Sequence, residues 1–282
     1  MITEKRNPRS RGIQKKSILE ILKIINEEDK KVPIAIGKEL KKIAKAVELV
    51  VDTIKNGGNI YIIGAGTSGR LGILQQAEMP PTFNIKRFKA IMAGGKSAVF
   101  KAKEGAEDSF LNGKIEIQRN VGKKDLVIGV SASGRTPFVI GALEEAKRIG
   151  CKIISVVCNK NTQMSKLADV TIEIIVGPEI IAGSTRMKSG TAQKMVLDMI
   201  TTASMIKLGK VYDNLMVDVV ATNEKLKKRA ESILIQITGM DKKDAKKLLE
   251  KSKYNVRLAL IMWKHKCDIQ KAKKLLKSFV IY

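Results

Sequence analysis

Between residues 59 and 208 the chain repeats one pattern: a short apolar run, a turn, and a stretch with helical spacing of its apolar residues. The apolar runs are 59–63 (NIYII), 90–93, 126–130, 152–157 and 170–176. They have strand length and little polar alternation, as expected of strands covered on both faces. The helical stretches are 70–77, 97–103, 136–149 and 189–208. Strands that alternate with helices need crossover connections, so the expected fold is α/β, a parallel sheet with helices on both faces. In such sheets ligands bind beyond the carboxyl ends of the strands. The turns 64–69 (GAGTSG) and 131–136 (SASGRT) fall at two of those ends.

The flanks read differently. Residues 1–17 form a basic arm broken by Pro8 and Gly12. Ser17 and Glu20 fit a capping box for a helix to about residue 28, which Val32-Pro33 breaks. A longer amphipathic helix over 40–54 ends at Gly57-Gly58. From about Thr222 the pattern is helical only, in stretches 222–238, 241–252 and 255–279, with Asp241 as an N-cap. Leu248, Leu249, Val256, Leu260, Ile261, Leu275 and Leu276 would form its core. The expected organisation is an arm with helices (1–46), an α/β domain (47–213) and a C-terminal helical domain (214–282).

The net charge of +25 comes from 53 Lys and Arg against 28 Asp and Glu. Residues 222–282 alone carry 17 basic and 6 acidic side chains. Nucleic-acid sites pair such charge with aromatics or arginine forks. Here aromatics are 4% of residues, and lysine supplies 42 of the 53 positive charges. A solvated lysine-rich surface is the expected reading, with no nucleic-acid partner. No run approaches membrane-span length and the start carries no signal-like apolar stretch, so neither a membrane nor secretion is expected. One His and three Cys without a CxxC pair imply a reduced, cytoplasmic chain without a His/Cys metal site.

Three loops and two glutamates are candidates for chemistry. The turn 64–69 fits GxGxxG, but Lys89 stands where a dinucleotide site needs an acid. Thr67 and Ser68 at a helix N-terminus suit a phosphate cradle instead. The loop Ser131, Ser133, Arg135 and Thr136, entering a helix at Pro137, is the stronger anion signal. In 177–191, Arg186 and Lys188 would point the same way if the segment were extended. They would bind an anion or pin the loop to the sheet. Glu78, before Pro80-Pro81, and Glu107 are unremarkable by spacing alone.

Taken together, GAGTSGRLG, AEMPPTF, EGAEDS, SASGRTPFV and GPEIIAGSTRMKSGTAQK closely resemble the N-acetylmuramic acid 6-phosphate etherase family, as do the start TEKRNPRS and the segment LMVDVVATNEKL. The stretch 177–194 resembles a signature these etherases share with glucokinase regulatory proteins, so the two glutamate motifs carry more of the reaction. The resemblance implies a three-layer sandwich: a five-stranded parallel sheet of the sugar isomerase type, with a small C-terminal helical bundle. It also implies a homodimer with sites near the subunit interface, a phosphosugar substrate, a cytoplasmic setting, and no metal or cofactor.

The implied reaction cleaves the lactyl ether. A base removes the C2 proton beside the open-chain aldehyde, an acid protonates the departing lactyl oxygen on C3, and water adds back. Glu78 matches the family's acid at the ether oxygen and Glu107 the residue that handles the C2 proton. Thr67, Ser68, Ser131, Ser133, Arg135 and Thr136 would hold the phosphate. The alternatives on this scaffold are a non-catalytic phosphosugar-binding regulator and a phosphosugar isomerase. The chain departs from the family at Gln75, Gln76, Ala77 and Met79, where members commonly carry Asp-Ala-Ser before the glutamate and Cys after it. The segment between the glutamates is also shorter, and the gap is expected in 83–88.

Overall fold

The computed structural model describes residues 1–218 and 224–276. The chain divides into two compact units, residues 1–76 with 87–202, and residues 77–86 with 203–282.

The first unit opens with three short turns of 3-10 helix and then α1 (Ile18–Asp29), α2 (Lys31–Gly37) and α3 (Leu40–Lys55). The capping box at α1 forms: Glu20 N–H donates to Ser17 Oγ, and Ser17 N–H donates to Glu20 Oε2. Val32-Pro33 breaks the first helix as expected but also starts a second, because proline is tolerated in a first turn. On α3, Ile43, Ala46, Val47, Val50 and Val51 make the buried stripe of an amphipathic helix.

The sheet comprises β1 (Ile60–Gly64), β2 (Phe88–Met92), β3 (Leu126–Ser131), β4 (Lys152–Val157) and β5 (Val170–Glu173). All pairs are parallel and the strand order is β2-β1-β3-β4-β5. The intervening helices are α4 (Gly66–Phe83), α5 (Ser97–Phe100), α6 (Phe110–Asn120), α7 (Pro137–Ile149) and α8 (Gln163–Leu167), and α9 (Lys188–Lys207) follows β5. Val127, Ile153 and Val157 pack with Phe138, Val139 and Leu143 of α7 under one face. The other face meets α3, which packs on β1, β3 and β5. This is the expected three-layer α/β sandwich.

Helix α6 has no counterpart among the sequence-derived elements. Its polar run LNGKIEIQRN has few apolar positions, and two glycines explain why it forms. A Cβ on Gly113 would collide with the Phe138 carbonyl, and one on Gly141 with the Phe110 carbonyl. Helices α6 and α7 therefore pack at nearly backbone distance, which periodicity alone does not reveal.

The second unit contains a two-residue antiparallel pair, β6 (Val211–Tyr212) with β7 (Leu215–Met216), and helices α10 (Glu224–Thr238), α11 (Lys242–Lys251), α12 (Val256–His265) and α13 (Ile269–Leu276). Leu249, Val256 and Leu260 join one buried cluster and Ile261 a second, with Leu248 and Leu275 packed alongside. Asp241 caps α11 by accepting from Asp244 N–H. The single stretch expected over 255–279 is two helices. Lys266 takes a left-handed φ of 45°, and Asp268 accepts from Lys271 N–H to start the next helix. Residues 222–223 and 277–279 of the expected helices, part of the segment 215–226, and the Leu276 side chain lie outside the described residues. No helix among the described residues is long and apolar enough to cross a membrane.

Candidate active site

The carboxyl end of β3 gathers three hydroxyls. Ser131 is buried, and its Oγ lies 2.8 Å from Thr136 Oγ1 and 3.2 Å from Ser133 Oγ. It also accepts from Gly134 N–H at 3.1 Å, and Ser133 Oγ accepts from Arg135 N–H at 3.2 Å. Thr136 is the N-cap residue of α7 and Pro137 its first residue. The free N–H groups of that first turn make it favourable to an anion. Gly134 makes the turn possible: its φ is +66°, and a Cβ there would stand 2.6 Å from Thr162 Oγ1. The Arg135 side chain is exposed.

A buried amide ties the N-terminal arm to this loop. Asn159 Nδ2 donates to Ala132 O at 2.9 Å and to Thr3 Oγ1 at 3.2 Å, while its Oδ1 accepts from Ile2 N–H at 2.7 Å.

At the carboxyl end of β1 the helix starts earlier than the sequence indicates. Thr67 and Ser68 stand in the first turn of α4 rather than in a turn before it. The positive φ at Gly66, 52°, turns the chain straight from strand into helix. Ser68 is 9% exposed, and its Oγ donates to Gln193 Oε1 at 2.8 Å. Thr67 meets the third loop, since a Cβ on Gly190 would lie 3.2 Å from Thr67 Cγ2. Arg70 donates from Nε to Val99 O and from Nη2 to Ala98 O, each at 2.8 Å, and so fastens the segment after β2 to α4.

In the third loop Arg186 and Lys188 do not share a direction. The segment is a turn leading into α9, not an extended strand; Arg186 is exposed and Lys188 fully buried. Lys188 Nζ lies 2.6 Å from Glu28 Oε2 and donates to Val176 O at 2.9 Å. Glu28 also accepts from Asn7 at 2.9 Å and pairs with Lys31. Burial pushes the Glu28 carboxyl up, but the hydrogen bonds from Lys188, Lys31 and Asn7 outweigh it and hold its pKa at about 2. Glu179 accepts from Lys188 N–H, Ser189 N–H and Ser189 Oγ at 2.7–3.0 Å and caps α9. Of the two readings, Lys188 pins the loop.

Both glutamates are exposed. Glu107 lies in a 3-10 turn, Ala106–Asp108, entered through Gly105 at φ 70°. It opens onto a cavity of about 110 Å³ shared with Gly66, Arg70, Met92 and Lys103, so it meets the first loop at the end of β1. Glu78 lies on α4 in the second unit, Glu107 in the first. The helix does not stop before Pro80-Pro81, as the sequence suggests, but runs through both to Phe83. Each proline deletes one backbone donor. Thr82 Oγ1 donating to Glu78 O at 2.8 Å and Asn84 N–H donating to Pro80 O at 2.9 Å supply further bonds at this end.

The departures before Glu78 are structural. Gln75 donates to Asp198 Oδ1 at 2.7 Å and accepts from Thr201 Oγ1 at 3.0 Å, stitching α4 to α9. Gln76 Oε1 accepts from Ala90 N–H at 2.7 Å, Ala77 is exposed, and Met79 is buried. Sequence reasoning gave no role to Gln193, Glu28 or Glu179. The one sequence signal that could have found the cap is the run GPE ahead of a long helix.

Residues 42–147 match the model of the glucokinase regulatory protein N-terminal SIS domain, and residues 111–203 that of the SIS domain. The chain is 52% identical over 279 residues to the N-acetylmuramic acid 6-phosphate etherase of Clostridioides difficile strain 630, covering 98% of this chain and 92% of that one. It is 50% identical, with the same coverage, to the etherase of Clostridium botulinum strain Langeland. Among solved structures, an E. coli CFT073 protein solved in complex with a ligand superposes with a TM-score of 0.52 at 20% identity, covering 71% of this chain and 97% of that one. A phosphoheptose isomerase from Neisseria gonorrhoeae gives 0.50 at 16% identity, covering 66% and 99%. These two likenesses show the fold.

Proposed function

The chain belongs to the N-acetylmuramic acid 6-phosphate etherase family, and from that premise we propose how its residues share the reaction. It is a carbon–oxygen lyase that cleaves the D-lactyl ether of N-acetylmuramic acid 6-phosphate to N-acetylglucosamine 6-phosphate and D-lactate. The observation that carries our reading of its site is the position of Glu107. This carboxylate opens into the same cavity as Ala65 and Gly66, where the first candidate loop turns into α4.

In the open-chain sugar the C1 aldehyde acidifies C2–H. Glu107 takes that proton, and the electron pair is held as an enolate. The pair then returns to expel the C3 oxygen, which leaves with a proton from Glu78 as lactate. Glu78 next deprotonates a water that adds at C3, and Glu107 returns the proton to C2. Each carboxyl thus works once as acid and once as base, and the net change is addition of one water across the ether. Ser131, Ser133 and Thr136, with the first-turn N–H groups of α7, bind the phosphate, assisted by Thr67, Ser68 and Arg135.

The working form is a homodimer in the cytoplasm, without a nucleic-acid partner. The resemblance implies sites near the subunit interface, and in our reading Glu78 serves the substrate held by the partner subunit, alongside the partner's Glu107. A cytoplasmic setting follows from the substrate, whose charged phosphate keeps it inside a membrane-bounded compartment. Stoichiometric release of D-lactate and N-acetylglucosamine 6-phosphate by the purified protein, without added metal, tests the reading. Isomerised sugar phosphate, or binding without turnover, would refute it.

A further inference from the structure

We propose that Gln193 is a positioning residue for substrate: its side-chain amide decides whether the Ser68 hydroxyl directs its proton inward or outward to the substrate phosphate. The proposal rests on the etherase reading of the loops.

Gln193 stands in the second turn of α9 and is 1% exposed. Its Oε1 accepts the Ser68 proton at 2.8 Å. Its Nε2 is buried and has no hydrogen-bond partner among the described residues. Buried amide donors are seldom left unpaired, and such an orphan calls for a reason. Ser68 lies two residues after Gly66, which lines the cavity that Glu107 enters.

A hydroxyl has one proton and can satisfy either end of an amide. With Oε1 toward Ser68, the hydroxyl spends its proton inward and presents only lone pairs to an incoming phosphate, which repel it. Turning the amide by half a revolution brings Nε2 to Ser68 Oγ instead. The inward hydrogen bond is kept, with its direction reversed, and the Ser68 proton is released to donate to a phosphate oxygen. One charge-assisted bond is gained and the number of inward bonds does not change. The orientation that leaves Nε2 unpaired is the one that withholds the Ser68 proton. Phosphate selects the other one because it interacts only with the outward proton.

The test compares wild type, Ser68→Ala, Gln193→Glu and the double variant by lactate-release kinetics and by calorimetric titration with N-acetylglucosamine 6-phosphate. At a pH high enough to ionise it, a glutamate at 193 only accepts, so it locks the Ser68 proton inward. We expect Gln193→Glu to raise KM and the product Kd about tenfold or more, with kcat within about threefold. The double variant should be no worse than Ser68→Ala alone, because both changes remove the same outward donor. An unchanged KM in Gln193→Glu, a loss mainly in kcat, or multiplied losses in the double variant would overturn the proposal. If Gln193→Glu does not fold, Gln193→Met decides. It leaves the hydroxyl free to turn outward, so its KM must stay below that of Ser68→Ala, and an equal KM overturns the proposal. If the wild type binds the sugar phosphate with this variant pattern but releases no lactate, the etherase reading falls and the switch stands. If the wild type is active and Gln193→Glu binds normally, the switch alone falls.

Discussion

Replacing Lys188 with Met would test how the loop before α9 is held. Lys188 is fully buried, with Nζ 2.6 Å from Glu28 Oε2 and 2.9 Å from Val176 O. Methionine keeps the volume and removes the charge, leaving the 1%-exposed Glu28 with Asn7, Lys31 and a 3.7 Å contact to Arg9. Breaking a buried pair from one side costs about 3–5 kcal/mol. The surviving partners put this case near the lower end, about 3 kcal/mol. A second signature comes from pH. Glu28 is held at about 2 against an ordinary 4.5, so the folded state is stabilised by about 3 kcal/mol above pH 4.5. That stability is lost as pH falls from about 4.5 to about 2. Without Lys188 the burial of Glu28 is less compensated, its pKa rises, and this contribution shrinks. Urea unfolding followed by circular dichroism at pH 7, and again in steps down to pH 2.5, reads both effects. A loss below about 1 kcal/mol at pH 7 with an unchanged acid limb would refute the reasoning, because it would mean Lys188 contributes no more than a surface ion pair.

Gly134→Ala should destabilise the β3 loop by about 1–3 kcal/mol, because φ is +66° and the new Cβ would meet Thr162. A raised KM for the phosphosugar and a lowered melting temperature are the expected readouts. Mixing inactive Glu78→Gln and Glu107→Gln subunits under exchange should restore about a quarter of wild-type specific activity, since half the dimers are mixed and each then carries one intact site. No recovery after verified exchange would put both glutamates on one subunit's site.

The strand runs were legible because five apolar segments sit between turn signals, and each observed strand overlaps its expected range. The hydroxyl loop after β3 was legible for the same reason: Pro137 marks the helix start, so the residues before it must lie at its mouth. What escaped depends on contacts between distant parts of the chain. Helix α6 exists because Gly113 and Gly141 let two helices touch, and neither glycine announces its partner. Whether Lys188 binds an anion or pins its loop stayed open in the sequence because its partner Glu28 is 160 residues away. Gln193 carried no signal, since its meaning lies in the hydroxyl of Ser68, 125 residues earlier. The break at Lys266 was hidden because lysine rarely takes a left-handed φ.

The central claim is a division of labour between two carboxyls, and following C2 hydrogen exchange in deuterated water alongside D-lactate release separates their roles. The account predicts that Glu107→Gln loses both signals, and that Glu78→Gln keeps exchange at C2 while lactate release falls by about 10²–10⁴. Near-normal lactate release from Glu78→Gln, or undiminished exchange in Glu107→Gln, would contradict it.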